Sequence, residues 1–161
     1  MTNKLVLETE GDRYVVVTRR FAATPEEVYR AHVDPELIQQ WMLGPDGWTM
    51  PVCVHEARPG GAIRYEWSNG QGAGFSLTGE ILELDPPRRI VHVERMHLPD
   101  PTPDNHVVTT FTADGDGTVM TMRMTLPDAE TRRAMLETGM DQGMEASYAR
   151  LESVRGWGGA R

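Results

Sequence analysis

A histidine and a glutamate two positions apart, His92 and Glu94, have the clearest potential for acid–base chemistry in this chain. Residues i and i+2 of a strand lie on the same face of a sheet, so the two side chains can meet. If that face lines a cavity, the pair could move a proton to or from a bound molecule, with Tyr65 as a further proton carrier. If the face is exposed, the two residues form a solvated pair, which is common on strands. From the sequence alone we favour the solvated pair.

The other reactive side chains give less support for catalysis. Cys53 is the single cysteine, which excludes an internal disulfide and a thiolate metal cluster. It falls within a predicted strand, where a lone cysteine is more often a small buried apolar residue than a nucleophile. Ser147 lacks a Gly-x-Ser-x-Gly context, so we expect it to be a packing residue. The five histidines show no metal-ligand spacing, and we predict neither a metal nor a cofactor.

Alternating large apolar residues indicate a pocket as the other candidate site. Ile63, Tyr65 and Trp67 alternate with polar residues in one predicted strand. The chain has ten methionines, and methionine fills irregular space and accepts varied apolar partners. Two interpretations stay open: a core packed with methionine, or a pocket lined by it. The residues expected to line such a pocket are Trp41, Trp48, Tyr65, Trp67, Phe75, Leu77, Met120, Met122, Met140, Met144 and Tyr148.

Charge and hydropathy exclude several classes of partner. The 161 residues include 16 Lys+Arg and 24 Asp+Glu, a formal net charge of −8. Nucleic acids and anionic lipid surfaces are bound through clustered Lys and Arg, so we expect no nucleic-acid partner and no membrane. No apolar stretch approaches the roughly 20 residues of a membrane span, and the start of the chain lacks the apolar segment of a secretory signal. We therefore expect a cytoplasmic protein.

The elements that must position these residues follow from periodicity and capping. Residues 14–21 are β-branched and aromatic, which predicts a strand. Thr24 and Asp34, each followed by proline and glutamate, predict the starts of two short helices. A helical pattern runs from Asp128 to residue 154, which predicts one helix of about 25 residues. Six further strands are predicted at residues 48–57, 62–67, 74–84, 88–97, 106–113 and 118–126.

This order of elements predicts an α+β fold, in which an antiparallel sheet of about seven strands is covered by the final helix. No repeat or linker divides the chain, so we expect a single domain over residues 14–154. Residues 1–13 are polar and are expected to be partly loose, and residues 155–161 are expected to form a flexible tail. Gly139 and Gly143 lie inside the predicted final helix, at a cost of about 1 kcal/mol each relative to alanine.

Several short segments follow one another in a specific order along the chain: residues 19–31, 34–41, 44–47, 58–61, 84–90 and 139–144, with Gly79, Gly117, Ser147, Tyr148 and Leu151. In this order they resemble the START/Bet v 1-like (SRPBCC) superfamily, in particular the branch similar to the C-terminal domain of the activator of Hsp90 ATPase. The resemblance implies a helix-grip fold, in which a curved sheet wraps round the long C-terminal helix and encloses an apolar cavity, with the two short helices at its mouth.

Three functions remain open at this point. The first, which we favour, is non-catalytic binding of a small hydrophobic or amphipathic molecule, oriented by the hydroxyls of Tyr65 and Tyr148. The second is an enzyme of the cyclase, aromatase or hydrolase type that uses His92, Glu94 or Tyr65. The third is a stress-linked protein interaction or co-chaperone-like role. A homodimer is also possible, and the sequence identifies neither the ligand nor the pathway.

Overall fold

A single antiparallel sheet of eight strands forms one layer of the protein, in the order β1-β2-β8-β7-β6-β5-β4-β3. The computed structural model describes residues 3–98 and 100–157. The α+β class, the two short helices after the strand at residues 14–21 and the long C-terminal helix on the sheet are confirmed. The strands are β1 Val6–Glu10, β2 Tyr14–Phe21, β3 Thr49–His55, β4 Ala62–Ser68, β5 Gly74–Asp85, β6 Arg89–His97, β7 Asn105–Asp114 and β8 Gly117–Thr125. The helices are α1 Pro25–Val33, α2 Pro35–Trp41, α3 Ala129–Leu136 and α4 Met140–Arg155.

The starts of α1 and α2 are set by their capping residues, as predicted. The Thr24 hydroxyl accepts a hydrogen bond from the Glu27 backbone N–H at 3.2 Å, and the Glu27 carboxylate accepts one from the Thr24 N–H at 3.2 Å. This reciprocal capping box satisfies two N–H groups that have no partner within the helix. The Asp34 side chain accepts from the Glu36 N–H at 3.0 Å and starts α2 in the same manner.

We call the covered side of the sheet the inner face, which carries Val17, Met122 and Thr109 in register across β2, β8 and β7. α4 packs on this face, where the Tyr148 hydroxyl donates to the Met120 sulfur at 3.7 Å. Strand β2 shows the alternation that results: every second residue is buried and the residues between are half-buried. The hydrophobic core therefore lies between the inner face and the helices.

The final helical segment differs from the prediction, because it is two helices rather than one. α3 ends at Leu136 and α4 begins at Met140, with Gly139 between them at a φ of 78°. That left-handed conformation is cheap only for glycine, so the chain turns here. The Thr138 hydroxyl donates to the Met135 carbonyl at 2.6 Å and caps the end of α3. Gly139, which we expected to lie inside one long helix at a cost in stability, instead separates two helices.

Both chain ends are more ordered than the sequence suggested. Residues 6–10 form β1, an edge strand paired with β2, within a segment that was expected to be loose. At the other end, Trp157 is buried and its ring lies edge-on to Phe21 at 6.1 Å between centroids. The predicted tail therefore begins no earlier than residue 158, and residues 158–161 lie outside the described residues. None of the helices in the described part of the chain is long and apolar enough to span a membrane.

A buried guanidinium joins α4 to the sheet. Arg19 of β2 is 2% exposed and donates from Nε and Nη2 to the Glu145 carboxylate at 2.9 and 3.0 Å. Its Nη1 donates to Glu152 at 3.0 Å, one helical turn further along than Tyr148. The guanidinium also lies 5.1 Å from the centroid of the Phe21 ring. This planar, bidentate arrangement is one that arginine makes and lysine cannot.

The ion cluster overcomes the cost of its own burial. Desolvation lowers the pKa of Arg19, but its hydrogen bonds with Glu145 and Glu152 outweigh that effect and raise it overall. Desolvation likewise works to raise the pKa of Glu145, while the hydrogen bonds from Arg19 and the Leu5 backbone N–H lower it overall. Arg19 and Glu145 are therefore held in their charged forms, and the Leu5 backbone fixes the N-terminal segment to the same cluster.

The first prediction concerns this cluster. Arg19→Met should lower the free energy of unfolding by about 3–5 kcal/mol, because it leaves two half-buried carboxylates without their cation. Chemical denaturation measures the change. The control is Arg89→Met, which breaks an exposed pair with Glu83 and should cost no more than about 1 kcal/mol. Equal costs for both variants would contradict a dominant role for the buried cluster.

His32 of α1 is buried in a ring of aromatic side chains. It lies 5.1 Å from Trp41 and 5.1 Å from Phe111 between ring centroids. Its Nδ1 contacts the Val28 carbonyl at 2.7 Å, so Nδ1 carries the proton, and Nε2 is buried without a partner. Desolvation lowers the pKa of His32 to about 4, against the small opposing effect of the bond to Val28. The imidazole is therefore neutral at pH 7.

The second prediction follows from that shift. Between pH 6.5 and about 4 the unfolded chain binds a proton at His32 that the folded chain does not, so stability falls as the pH is lowered through this window. The loss for this group is about 3 kcal/mol and levels off below pH 4. His32→Leu should remove this share of the pH dependence in denaturation curves at pH 7 and pH 4. His106→Leu, at an exposed position, should keep the wild-type dependence.

Candidate functional site

The strand register brings His92, Glu94 and Tyr65 to the inner face of the sheet. Ile90 pairs with the inner-face residue Thr109, so His92 and Glu94, two and four residues further along β6, lie on that face as well. Glu94 pairs with Gly79, Gly79 pairs with Ile63, and Tyr65 follows Ile63 by two positions. All three candidate proton carriers therefore point to the side covered by α4.

His92 and Glu94 form a hydrogen-bonded pair at 2.7 Å between Nε2 and Oε1. Their side chains are 15% and 22% exposed, so the pair is half-buried rather than fully solvated. The interpretation that we favoured from the sequence, a pair on an exposed face, is therefore wrong. Alternation along one strand identifies residues that share a face, but which face is covered depends on the neighbouring strands and on α4.

A second polar pair, His55 and Tyr65, lies beside the first, and sequence reasoning missed its histidine. His55 Nδ1 is 2.7 Å from the Tyr65 hydroxyl, and the two rings are nearly parallel, at 9°. Desolvation, followed by the nearby His92 and His32, lowers the pKa of His55 to about 4. Desolvation, followed by Cys53 and Glu94, raises the pKa of Tyr65 well above 10. Both side chains are therefore uncharged at pH 7.

These polar groups lie in, or directly beside, one row of paired residues across five strands. In register, His55, Ile63, Gly79, Glu94 and Asn105 follow one another from β3 to β7. Position 79 accepts only glycine, because a Cβ atom there would lie 2.2 Å from the Val93 carbonyl oxygen. The row consequently has no side chain between Ile63 and Glu94. We call His55, Tyr65, His92, Glu94 and Asn105 the polar row.

Two members of the polar row have buried atoms without a hydrogen-bond partner. They are Nε2 of His55 and Oδ1 of Asn105, and the third such side-chain atom in the described part of the chain is Nε2 of His32. Asn105 is 7% exposed and stands next to Glu94 across the β6–β7 ladder. Native proteins leave few buried polar atoms unpaired, and those that remain often mark a place for a ligand or a water molecule.

The predicted pocket residues fall into a buried set and a half-buried set. Trp41 and Met120 are almost completely buried; Trp41 stacks on Tyr148 at 5.3 Å, and its indole N–H donates to the Ala31 carbonyl. The Tyr148 hydroxyl donates to Met120, so it is not free to orient a ligand. The other buried members are Tyr65, Trp67 and Leu77. The half-buried members are Trp48, Phe75, Met122, Met140 and Met144.

Aromatic rings from β4, β5 and the α2–β3 loop form a continuous wall. Phe75 stacks on Trp67 at 4.8 Å and meets Trp48 edge-on at 5.3 Å between ring centroids. The Trp67 indole N–H donates to the Met42 carbonyl at 2.8 Å, which fixes the loop after α2 to this wall. Trp48, which lies in the α2–β3 loop, is the half-buried end of the wall.

The nucleophile candidates have structural roles in the described structure. Cys53 pairs with Tyr65 across β3 and β4, and desolvation, followed by Asp34, raises the pKa of its thiol to about 11. A thiol of that pKa is a poor nucleophile at neutral pH. The Ser147 hydroxyl accepts a hydrogen bond from the Gly44 N–H at 2.8 Å, a packing role as expected. No group of three or more His, Cys, Asp or Glu among residues 3–98 and 100–157 could hold a metal ion.

A separate open groove lies beside the first turns of α4. It has a volume of about 430 Å³ and lies between Leu5 and α4, lined by Asp141, Gln142, Glu145 and Ala146. None of these residues is among the predicted pocket residues. Asp141 and Glu145 give the groove an acidic rim, so it differs in chemistry from the inner-face site.

Comparison with known proteins agrees with this architecture. Residues 22–156 match the family described as activator of Hsp90 ATPase homolog 1-like protein. A crystal structure of a protein from Rhodobacter sphaeroides is 29% identical and aligns over 95% of this chain and 99% of its own, with a TM-score of 0.89. A protein from Chromobacterium violaceum is 26% identical over 88% of this chain and 96% of its own, with a TM-score of 0.72.

A third structure, from Mycobacterium smegmatis, shares the fold at 23% identity, with 93% of this chain and 96% of that chain aligned and a TM-score of 0.83. No curated protein is significantly similar to the chain. The family match covers both short helices, all strands from β3 to β8 and α4, which are the elements that build the inner-face site. The chain belongs to the activator of Hsp90 ATPase homolog 1-like family of the SRPBCC, Bet v 1-like fold.

Proposed function

We propose that the protein binds a small, largely apolar molecule between the inner face of the sheet and α4, without changing it chemically. The observation that carries the proposal is the exposure of inner-face residues on central strands. His92 and Glu94 on β6 and Met122 on β8 keep contact with solvent although α4 packs on their face. In a solidly filled interior, strands in the middle of a sheet would have no exposed side chains on the covered face.

The chemistry of the surrounding walls fits an apolar guest. Phe75 and Trp67 supply a flat aromatic surface, while Met122, Met140 and Met144 supply flexible thioether side chains from the sheet and from α4. Methionine adapts its shape to different partners at little cost, which suits a site that accepts more than one apolar body. The polar row at the same face offers a small number of groups that fix orientation.

An area estimate sets the scale of binding. Burial of about 250 Å² of apolar ligand surface contributes about 6 kcal/mol at 25 cal/mol per Å². Loss of translational and rotational freedom offsets part of this gain, so a ligand held by apolar contact alone should bind in the micromolar range or more weakly. Tighter binding requires the polar row.

One observation favours a second candidate function, acid–base catalysis within the same site. His92 and Glu94 are hydrogen-bonded at 2.7 Å, half-buried and on the inner face. A carboxylate that contacts an imidazole can take a proton from a bound molecule, and the imidazole can relay or stabilise that proton. Tyr65 is an uncharged phenol close enough to Glu94 for the pKa of the phenol to respond to it.

The third prediction tests the binding function with N-phenyl-1-naphthylamine, a neutral probe whose fluorescence rises when it leaves water. The wild-type protein should bind it with saturable fluorescence. Met144→Trp should weaken binding at least about tenfold, because the larger side chain fills the space between α4 and the sheet.

The matched control is Ala149→Trp, at an exposed position of the same helix, which should bind the probe like the wild type. Thermal melts of all three proteins show that the comparison is made on folded chains. Absence of saturable binding by the folded wild-type protein would contradict the proposed function.

The fourth prediction tests the catalytic candidate with 5-nitrobenzisoxazole, a neutral aromatic compound that needs only one base. Removal of its ring C–H proton breaks the N–O bond and gives a coloured cyanophenolate. If the pair acts as a base, the protein should accelerate this reaction, and Glu94→Gln should abolish the acceleration. Glu80→Gln, on the exposed face of β5, should retain it. A rate equal to that of buffer would leave binding as the function.

A further inference from the structure

The polar row has a composition that discriminates between ligand head groups. Its imidazole His55, its phenol Tyr65 and its amide Asn105 are uncharged at pH 7, and Glu94 supplies a carboxylate between them. The groups without partners, Oδ1 of Asn105 and Nε2 of His55, are buried. A ligand that reaches the row therefore meets one carboxylate and an amide oxygen as hydrogen-bond acceptors, with the His55 nitrogen next to them.

Among the described residues, the inner face offers no arginine or lysine that is free to balance an anionic ligand. Arg19 is the arginine at an inner-face position of the described strands, and both of its sides are taken by Glu145 and Glu152. Arg64 and Arg95 lie on the opposite face, where they pair across β4, β5 and β6 with the intervening Thr78. Lys4 is the single lysine of the chain and precedes β1.

These two features have opposite effects on two kinds of ligand. A carboxylate at the polar row would approach Glu94, whose Oε1 already contacts His92, with no arginine or lysine to balance the second negative charge. It would also leave Oδ1 of Asn105 unpaired, since an anion donates no hydrogen bond. A hydroxyl at the same place can donate to Asn105 or to Glu94 and accept from His55 or Tyr65. No side chain stands between Ile63 and Glu94 in this row, because position 79 is glycine.

Resting on the proposed function, we propose that the site selects molecules whose apolar body carries an uncharged hydroxyl-type head, such as a phenol or an alcohol, and rejects carboxylates. The head lies at Glu94 and Asn105, and the body extends over the aromatic wall of Trp67 and Phe75. Met96, which follows Glu94 by two positions on β6 and pairs with Leu77, flanks the row and is half-buried. Shape alone would not make this distinction, because a phenol and a carboxylate of the same aromatic body differ little in size.

The fifth prediction uses three probes with one body, naphthalene, 2-naphthol and 2-naphthoate, measured by isothermal titration calorimetry at pH 7. The wild-type protein should bind 2-naphthol at least about tenfold more tightly than 2-naphthoate, because the anion is desolvated beside Glu94 without a partner. Naphthalene should bind more weakly than 2-naphthol, since it gives Oδ1 of Asn105 no hydrogen bond.

Two variants assign the selectivity to the polar row. Glu94→Gln should bring the affinity for 2-naphthoate to within about threefold of that for 2-naphthol, because the repelling charge is removed and the amide can donate. Asn105→Leu should lower the affinity for 2-naphthol to nearly that for naphthalene. The control is Glu80→Gln, which removes one negative charge from the exposed face of the neighbouring strand and should leave the wild-type ratios unchanged.

The outcomes separate this inference from the proposed function. Binding of 2-naphthoate as tight as that of 2-naphthol, or equal shifts in Glu94→Gln and Glu80→Gln, would overturn the selectivity while leaving the apolar site in place. If the folded wild-type protein binds none of the three probes, the proposed function fails and the inference fails with it. If Asn105→Leu does not fold, the comparison of Glu94→Gln with Glu80→Gln decides alone.

Discussion

The attachment of α4 to the sheet depends on one buried guanidinium. Arg19 projects from β2 between the carboxylates of Glu145 and Glu152. The helix is therefore fixed at two points, one about a turn before Tyr148 and the other about a turn after it. Ion pairs at the surface contribute little to stability, but a charge that is 2% exposed has no alternative partner in water. These ion pairs therefore attach α4 to β2 without requiring close packing between α4 and the central strands. Its polar anchors provide the attachment that a fully packed apolar interface would otherwise supply.

The anchoring explains why polar groups can remain on a covered face. On its other side α4 is tied to the α2–β3 loop, where Ser147 accepts from Gly44 and Arg150 donates to the Gly44 carbonyl at 2.9 Å. The half-buried side chains of His92 and Glu94 lie on the same face of the sheet as Arg19. Burial keeps the neighbouring His55 and Tyr65 uncharged, which lowers the cost of placing five polar side chains near an apolar wall. The inner face thus has an anchored part around Arg19 and a partly exposed part around His92 and Glu94, where we propose that a ligand binds.

Family membership and function are supported by different features of the molecule. The fold is shared over nearly the whole chain with proteins of similar length, and it follows from the order of strands, caps and the final helix. Chemistry depends instead on a few inner-face positions, and one fold can carry many activities. The polar row, which includes His55, Glu94 and Asn105, is for this reason a stronger guide to the chemistry of the proposed site than the architecture around it.

Elements whose causes are local could be predicted from the amino-acid sequence. Thr24 and Asp34 fix the starts of two helices through hydrogen bonds to residues two or three positions away, and alternation shows which residues of a strand share a face. The break at Gly139 in the predicted final helix also has a local cause. The sequence does not reveal it, because a glycine inside one helix and a glycine between two helices give the same pattern. Edge strand β1 was missed because its polar residues give no apolar alternation; pairing with β2 alone makes it a strand.

Contacts between residues of different strands, in contrast, depend on how the whole chain folds. Register is set by turns and by irregularities such as the bulge between Ile81 and Glu83, which changes the face that later residues of β5 present. His55 and Asn105 come from opposite ends of the strand run and join Glu94 through four successive pairings, none of which is visible in either segment alone. The side of the sheet that α4 covers then turned a pair expected at the surface into the centre of the candidate site. Contacts between distant segments have no period along the chain, so periodicity could not reveal them.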